Sequence, residues 1–161
     1  MKRHIILLIA FVLMSAQLFA QTPVYLTKAY KPVESDRYTA YSSLEIQGGD
    51  TWNNCFTLGV INNYHGYATF NIGGKYESIS FILGAEKSNG GNDPNIVQIH
   101  ADGKRIFDYV LRDGDLGQQF TLNISGVDKL EFSLVKPEVE PAFCEVALWT
   151  KGQTPHDLRG K

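Results

Sequence analysis

Tyr76-Glu77-Ser78-Ile79-Ser80-Phe81-Ile82-Leu83-Gly84 decides the fold class of this chain. Ile79, Phe81 and Leu83 fall on one side of an extended backbone, and Ser78 and Ser80 fall on the other. A period of two marks a strand with one buried face and one wet face. The same pattern recurs downstream. Ile96-Val97-Gln98-Ile99-His100 and Arg105-Ile106-Phe107 flank Asp102-Gly103, a dipeptide suited to a two-residue turn in which both central residues have positive φ. Phe120, Leu122 and Ile124 alternate again, Gly126-Val127-Asp128-Lys129 turns the chain, and Leu130, Phe132 and Leu134 follow as the second strand of a hairpin. Consecutive hairpins with one wet face predict an all-β, two-sheet β-sandwich, jelly-roll-like, rather than a parallel sheet.

The rest of the chain fits that plan. Val24-Tyr25-Leu26 and Leu44-Glu45-Ile46 read as short strands. Residues 56–61 and 67–72 read as longer ones, separated by Asn62-Asn63-Tyr64-His65-Gly66. Residues 87–95, rich in Ser, Asn and Gly, form the longest loop, and residues 143–149 the last strand. Residues 150–161 read as a frayed tail. About nine strands in one domain suit a jelly roll. No segment beyond residue 20 carries the helical i, i+3, i+4, i+7 apolar spacing over three turns.

Residues 1–20 have the layout of a secretory signal peptide: basic Met1-Lys2-Arg3-His4, an apolar run from Ile5 onward, then small and polar residues up to Ala20. The run is too short to span a bilayer. Cleavage is placed after Ala20, with Ala16 as the alternative, and an uncleaved N-terminal anchor is the competing reading. The expected organisation is a signal peptide (1–20), a sandwich domain (21–150) and a tail (151–161), in an exported, periplasmic or secreted protein with no stable membrane anchor after cleavage. Loss of Lys2 and Arg3 from 15 basic residues, against 17 acidic ones, leaves a mature net charge of −4. A mildly acidic surface without a basic cluster argues against nucleic acid and anionic membranes as partners.

The chain has two cysteines, Cys55 and Cys144. An even pair in an exported protein is expected to form a disulfide. Closing a loop of about 90 residues would stabilise the fold by roughly 4–5 kcal/mol in the chain-entropy treatment. Two separately buried thiols are the alternative. No second cysteine or histidine stands at zinc-ligand spacing.

The series Gly59, Ala68-Thr69-Phe70-Asn71-Ile72-Gly73-Gly74-Lys75-Tyr76, Phe81-Ile82-Leu83-Gly84, Ala101-Asp102-Gly103-Lys104 and Leu122-Asn123-Ile124-Ser125-Gly126, then Leu130 and a closing Trp149, resembles the NPCBM family of carbohydrate-binding domains. The resemblance covers roughly residues 24–150. It implies a β-sandwich that binds sugars, often appended to glycoside hydrolases. Two positions depart from the family pattern. Lys28 stands near the first strand where the family tends to have an acidic residue, and Glu145 replaces Asp before the final Trp. The lysine counts against a metal site shared between the two ends of the chain.

Sugar recognition needs an exposed planar ring for stacking and polar side chains that reach hydroxyls. Trp52, with Asn53-Asn54 beside it, and the loop residues Asn63, Tyr64, His65 and Tyr67 supply that mixture at strand ends, where function tends to sit. The competing reading packs Trp52 under the sheet and leaves the tyrosines as edge rings. His65 reads as a solvent-facing loop residue rather than a metal ligand, and Asp102-Gly103-Lys104 as a turn rather than a binding clamp.

Enzyme chemistry finds little support. Glycoside hydrolysis needs two carboxylates about 5–10 Å apart in a cleft, and Glu77, Glu86, Asp93, Asp102 and Glu145 are scattered along the chain. The sequence has no Gly-x-Ser-x-Gly elbow and no phosphate loop. The expectation is a non-catalytic module, without cofactor or metal, whose partner is a glycan or polysaccharide. The alternative is a protein-interaction module that binds other envelope proteins through the same sandwich.

Overall fold

A computed structural model describes residues 22–61, 64–86, 94–135 and 139–159, with the backbone alone at Val60, Ile61 and Tyr64. In chain order the first elements are β1 (Val24–Tyr25), the helical turn α1 (Leu26–Ala29), β2 (Glu34–Asp36), β3 (Tyr38–Glu45) and β4 (Thr51–Leu58). Next come β5 (Val60–Ile61), β6 (Tyr64–His65), β7 (Tyr67–Asn71) and β8 (Ser78–Ala85). The chain continues with β9 (Asn95–Ala101), β10 (Lys104–Leu111), β11 (Gln118–Asn123), β12 (Lys129–Leu134) and β13 (Pro141–Trp149). One sheet runs β11-β8-β13-β4-β3, with β1 on the far half of β13; the other runs β10-β9-β12-β7-β2. All pairings are antiparallel, and β5–β6 forms a small separate ribbon. The fold is the two-sheet β-sandwich.

The core lies between the sheets and is aromatic. Phe56 stacks on Phe143 with centroids 4.8 Å apart, and Phe132 meets both edge-on. Ile79, Phe81, Leu83, Ile124, Leu130, Phe132 and Leu134 are buried as the alternation requires, while Phe120 and Leu122 are half-buried because β11 is an edge strand. Thr121 and Asn123 face outward. At the β9–β10 turn Asp102 has φ 48° and Gly103 φ 80°, which is the two-residue hairpin expected. The Asp102 carboxylate also accepts the Asp128 and Lys129 N–H groups, at 3.2 and 2.8 Å, so this turn ties down the one before β12.

Four expectations need correction. First, β11 and β12 do not form a hairpin: β11 pairs with β8 in the first sheet and β12 with β7 and β9 in the second. The turn at 124–128 therefore carries the chain from one layer to the other. Second, β8 is buried on both faces, not one, and β13 beside it is likewise buried on both. Ile82, Ala147 and Trp149 belong to a second apolar cluster on the outer side of the first sheet, with Ile46 and Leu158. Buried Ser80 is satisfied there by the Thr121 hydroxyl at 2.9 Å.

Third, the tail is not frayed along its described length. Leu158 is buried in that outer cluster, and its N–H donates to the Gln119 side chain at 2.7 Å. The Gln119 amide in turn donates to the His156 carbonyl at 3.1 Å. Fourth, Leu26 starts α1 instead of ending a strand, and Leu44-Glu45 closes the eight-residue β3. Residues 1–20, like most of the 87–95 loop, lie outside the described residues. Among the described residues no helix is long and apolar enough to cross a membrane.

Candidate functional site

The packed tail builds a cleft that the sequence alone does not announce. Trp52, near the start of β4, lines a cleft of about 700 Å³ with Asp50, Leu116, Gly117, Gln118 and Arg159. Its ring is half-buried against the outer cluster, and its Nε1–H is buried without an acceptor among the described residues. Gly117 makes the close approach possible. A Cβ there would lie 2.6 Å from Ile46 and 2.9 Å from Ile82, with the Trp52 Nε1 at 3.7 Å. Leu116 stands 65% exposed at the rim. Arg159 closes one wall and is held by a hydrogen bond from its guanidinium to the Gly117 carbonyl at 2.6 Å. The cleft thus offers an aromatic surface, an exposed aliphatic side chain and three polar groups of different kinds: a carboxylate, an amide and a guanidinium.

Three residues on from Trp52, β4 meets its antiparallel neighbour β13 at a disulfide. Cys55 and Cys144 are bonded, with Cα atoms 4.0 Å apart. The residues next to them, Asn54 and Glu145, have φ of 52° and 48°, a left-handed conformation that Asn tolerates and Glu rarely adopts. Such backbone states cost on the order of 1–3 kcal/mol and persist where the surroundings over-determine them. Here the disulfide and the Glu145 carboxylate do so.

Glu145 also lines a second cleft, of about 540 Å³, with Tyr25, Lys28, Tyr41, Asn53 and Asn54. The two positions that depart from the NPCBM pattern therefore meet in space. Lys28 Nζ sits 5.5 Å from the Tyr25 ring centroid, so a positive charge lines this cleft together with Glu145. Among the described residues no group of three His, Cys, Asp or Glu side chains is arranged to hold a metal ion.

Of the five sugar-site candidates, Trp52 stands apart from His65 and Tyr67. From Trp52, β4 runs six residues to Leu58, roughly 20 Å of extended chain. Gly66 packs against Leu58 and Gly59 at that far end, so exposed His65 and Tyr67, 36% exposed, belong to the opposite end of the strand. Asn63 and the Tyr64 side chain lie outside the described residues. Apart from its own neighbours Asp50 and Thr51, the residues that line the cleft with Trp52 come from elsewhere in the chain: the β10–β11 connection, the first residue of β11 and the tail. The local signal for them is slight: Leu158 is an isolated apolar residue in a polar segment. For the left-handed Glu145 there is no sequence signal.

Comparisons with known proteins agree with this architecture. None of the curated proteins matches the sequence. The fold is similar to that of CBM51 from Clostridium perfringens GH95, solved in complex with methyl-galactose, with TM-score 0.62, 13% identity and coverage of 79% of this chain and 99% of that one. It is also similar to the tandem CBM51 modules of a family 98 glycoside hydrolase from Streptococcus pneumoniae, with TM-score 0.65, 12% identity and coverage of 84% and 49%. A third similar structure holds the M60 catalytic domain with two CBM51 domains of Clostridium perfringens ZmpB, with TM-score 0.64, 16% identity and coverage of 81% of this chain and 15% of that one. The family profile that matches is the NPCBM/NEW2 domain, over residues 15–152. Its match takes in both sheets and the strand that carries Trp52, and this chain belongs to the NPCBM/NEW2 domain family.

Proposed function

We propose that this protein is a non-catalytic, exported glycan-binding module that holds a sugar in the Trp52 cleft. The observation that carries the reading is the composition of that cleft: a half-buried indole beside exposed Leu116, rimmed by Asp50, Gln118 and Arg159. A sugar ring has apolar C–H faces and a girdle of hydroxyls that both donate and accept. The indole and Leu116 suit the first, and a carboxylate, an amide and a guanidinium suit the second. Methyl-galactose bound to one CBM51 of similar fold and GlcNAc bound to another support the class of ligand. Export is supported by the Cys55–Cys144 disulfide, since such bonds persist in oxidising compartments. Non-catalysis is supported by membership of the NPCBM/NEW2 domain family and by likeness of fold to CBM51 modules.

A glycan array probed with the chain lacking residues 1–20 tests the reading. Retention of a defined set of glycans, lost in W52A, is the expected result. An array on which no glycan retains the protein would turn attention to protein partners.

A further inference from the structure

Among the described residues, the segment of β4 that carries Trp52 has no strand neighbour on one side. Phe56 and Thr57 pair with Phe143 and Ala142 of β13. Beyond them β13 bulges, and by Ala147 and Leu148 its neighbour is β1. Residues 52 and 53 keep β3 on one edge, and on the other edge a side chain replaces the missing strand. It belongs to Glu145. One carboxylate oxygen accepts the Asn53 N–H at 3.2 Å, and the other accepts the Asn54 side-chain amide at 3.2 Å. The Cys55 sulfur lies 3.4 Å from the carbonyl oxygens of both Trp52 and Asn53; being disulfide-bonded, it acts there by contact and has no proton to give. The Asn54 and Glu145 backbones are both left-handed.

We infer, resting on the glycan reading of the Trp52 cleft, that Glu145 is a positioning residue: its carboxylate, with the Cys55–Cys144 disulfide as a second anchor, fixes the backbone that carries Trp52 and so sets the ring that meets the sugar. Glu145 is 1% exposed, so it acts through Trp52 and does not touch the ligand. An ordinary strand pair would hold Trp52 through backbone bonds alone. Here two hydrogen bonds to one charged group hold residues 53 and 54 in place, and a single side-chain change removes both.

The chain has two tryptophans, and Trp149 is fully buried, so iodide quenching of fluorescence reports on Trp52. Wild type, E145A, E145Q, N54G and W52A are compared for quenching, melting temperature and retention on the glycans that the wild type selects from an array. Charged hydrogen bonds of this kind make a roughly tenfold loss of retention the expectation for E145A, together with stronger quenching. In E145Q the amide oxygen still serves Asn53 and Asn54 turns its own oxygen to the new amide, so retention is expected to recover most of the way. N54G permits the left-handed backbone while removing one bond, and an intermediate loss is expected. A folded E145A with wild-type quenching and retention overturns the inference. Should E145A fail to fold, N54G decides: wild-type quenching and retention overturn the inference, and increased quenching with weaker retention supports it. Full retention by W52A would instead overturn the glycan reading of the cleft, with the Glu145 latch then judged by quenching alone.

Discussion

Glu86 and Glu140 are brought side by side by the backbone, since the Glu86 N–H donates to the Glu140 carbonyl at 2.9 Å. Burial first, then repulsion from Glu140 and a hydrogen bond with it, raise the Glu86 carboxyl above its ordinary value of 4.5. A carboxyl raised by folding stabilises the fold in its protonated form. That contribution is full below the ordinary carboxylate range and is lost as pH rises through the raised value. E86Q keeps a neutral hydrogen-bonding group at every pH. Its melting temperature is expected to exceed that of the wild type at pH 7 and to match it near pH 4, as read by thermal melts across that range. At the core, Phe132 is fully buried among Phe56, Phe70 and Phe143. F132A is expected to cost about 3–5 kcal/mol, measured by chemical denaturation.

Among the elements, the strands with one buried face were legible, and β8, covered on both faces, was misread as having one wet face. Ile79, Phe81 and Leu83 mark the inner face of β8 correctly, but Ile82 sits between Phe81 and Leu83 on the opposite phase. That uninterrupted apolar run is the mark of a strand covered on both sides. The cover comes from residues remote in sequence, Ile46 before β4 and Leu158 in the tail, which no local period reveals. The Asp102-Gly103 turn was legible because its chemistry is local; the placing of β11 and β12 in different sheets was not, because a turn signal does not say which sheet the next strand joins. Trp52 was legible as an aromatic candidate. Its neighbours were not, because Leu116, Gln118 and Arg159 reach it only through the sheet pairing and the return of the tail. Leu158→Ala tests the packed tail. A loss of about 2–3 kcal/mol is expected, with weaker glycan retention because Arg159 loses its seat; an unchanged denaturation midpoint would return the tail to the frayed state.

For the whole molecule, the disulfide joins residues 89 apart and lies on the outer face of the first sheet, where β4 and β13 meet. The double substitution C55A/C144A is expected to cost roughly 2–4 kcal/mol, read by denaturation under non-reducing conditions. Because the bond flanks Asn54 and Glu145, glycan retention is expected to fall more than global stability alone would explain. The cleft sits at the edge of the sandwich, where β4, the β10–β11 connection and the tail converge. The central claim is that this cleft holds the sugar, and the two indole N–H groups offer the most direct reading of it. In a two-dimensional nitrogen–proton NMR titration with a glycan selected from the array, the Trp52 indole signal is expected to shift while that of buried Trp149 stays fixed. A titration that leaves the Trp52 signal in place and moves the backbone signals of His65 and Tyr67 instead would contradict it.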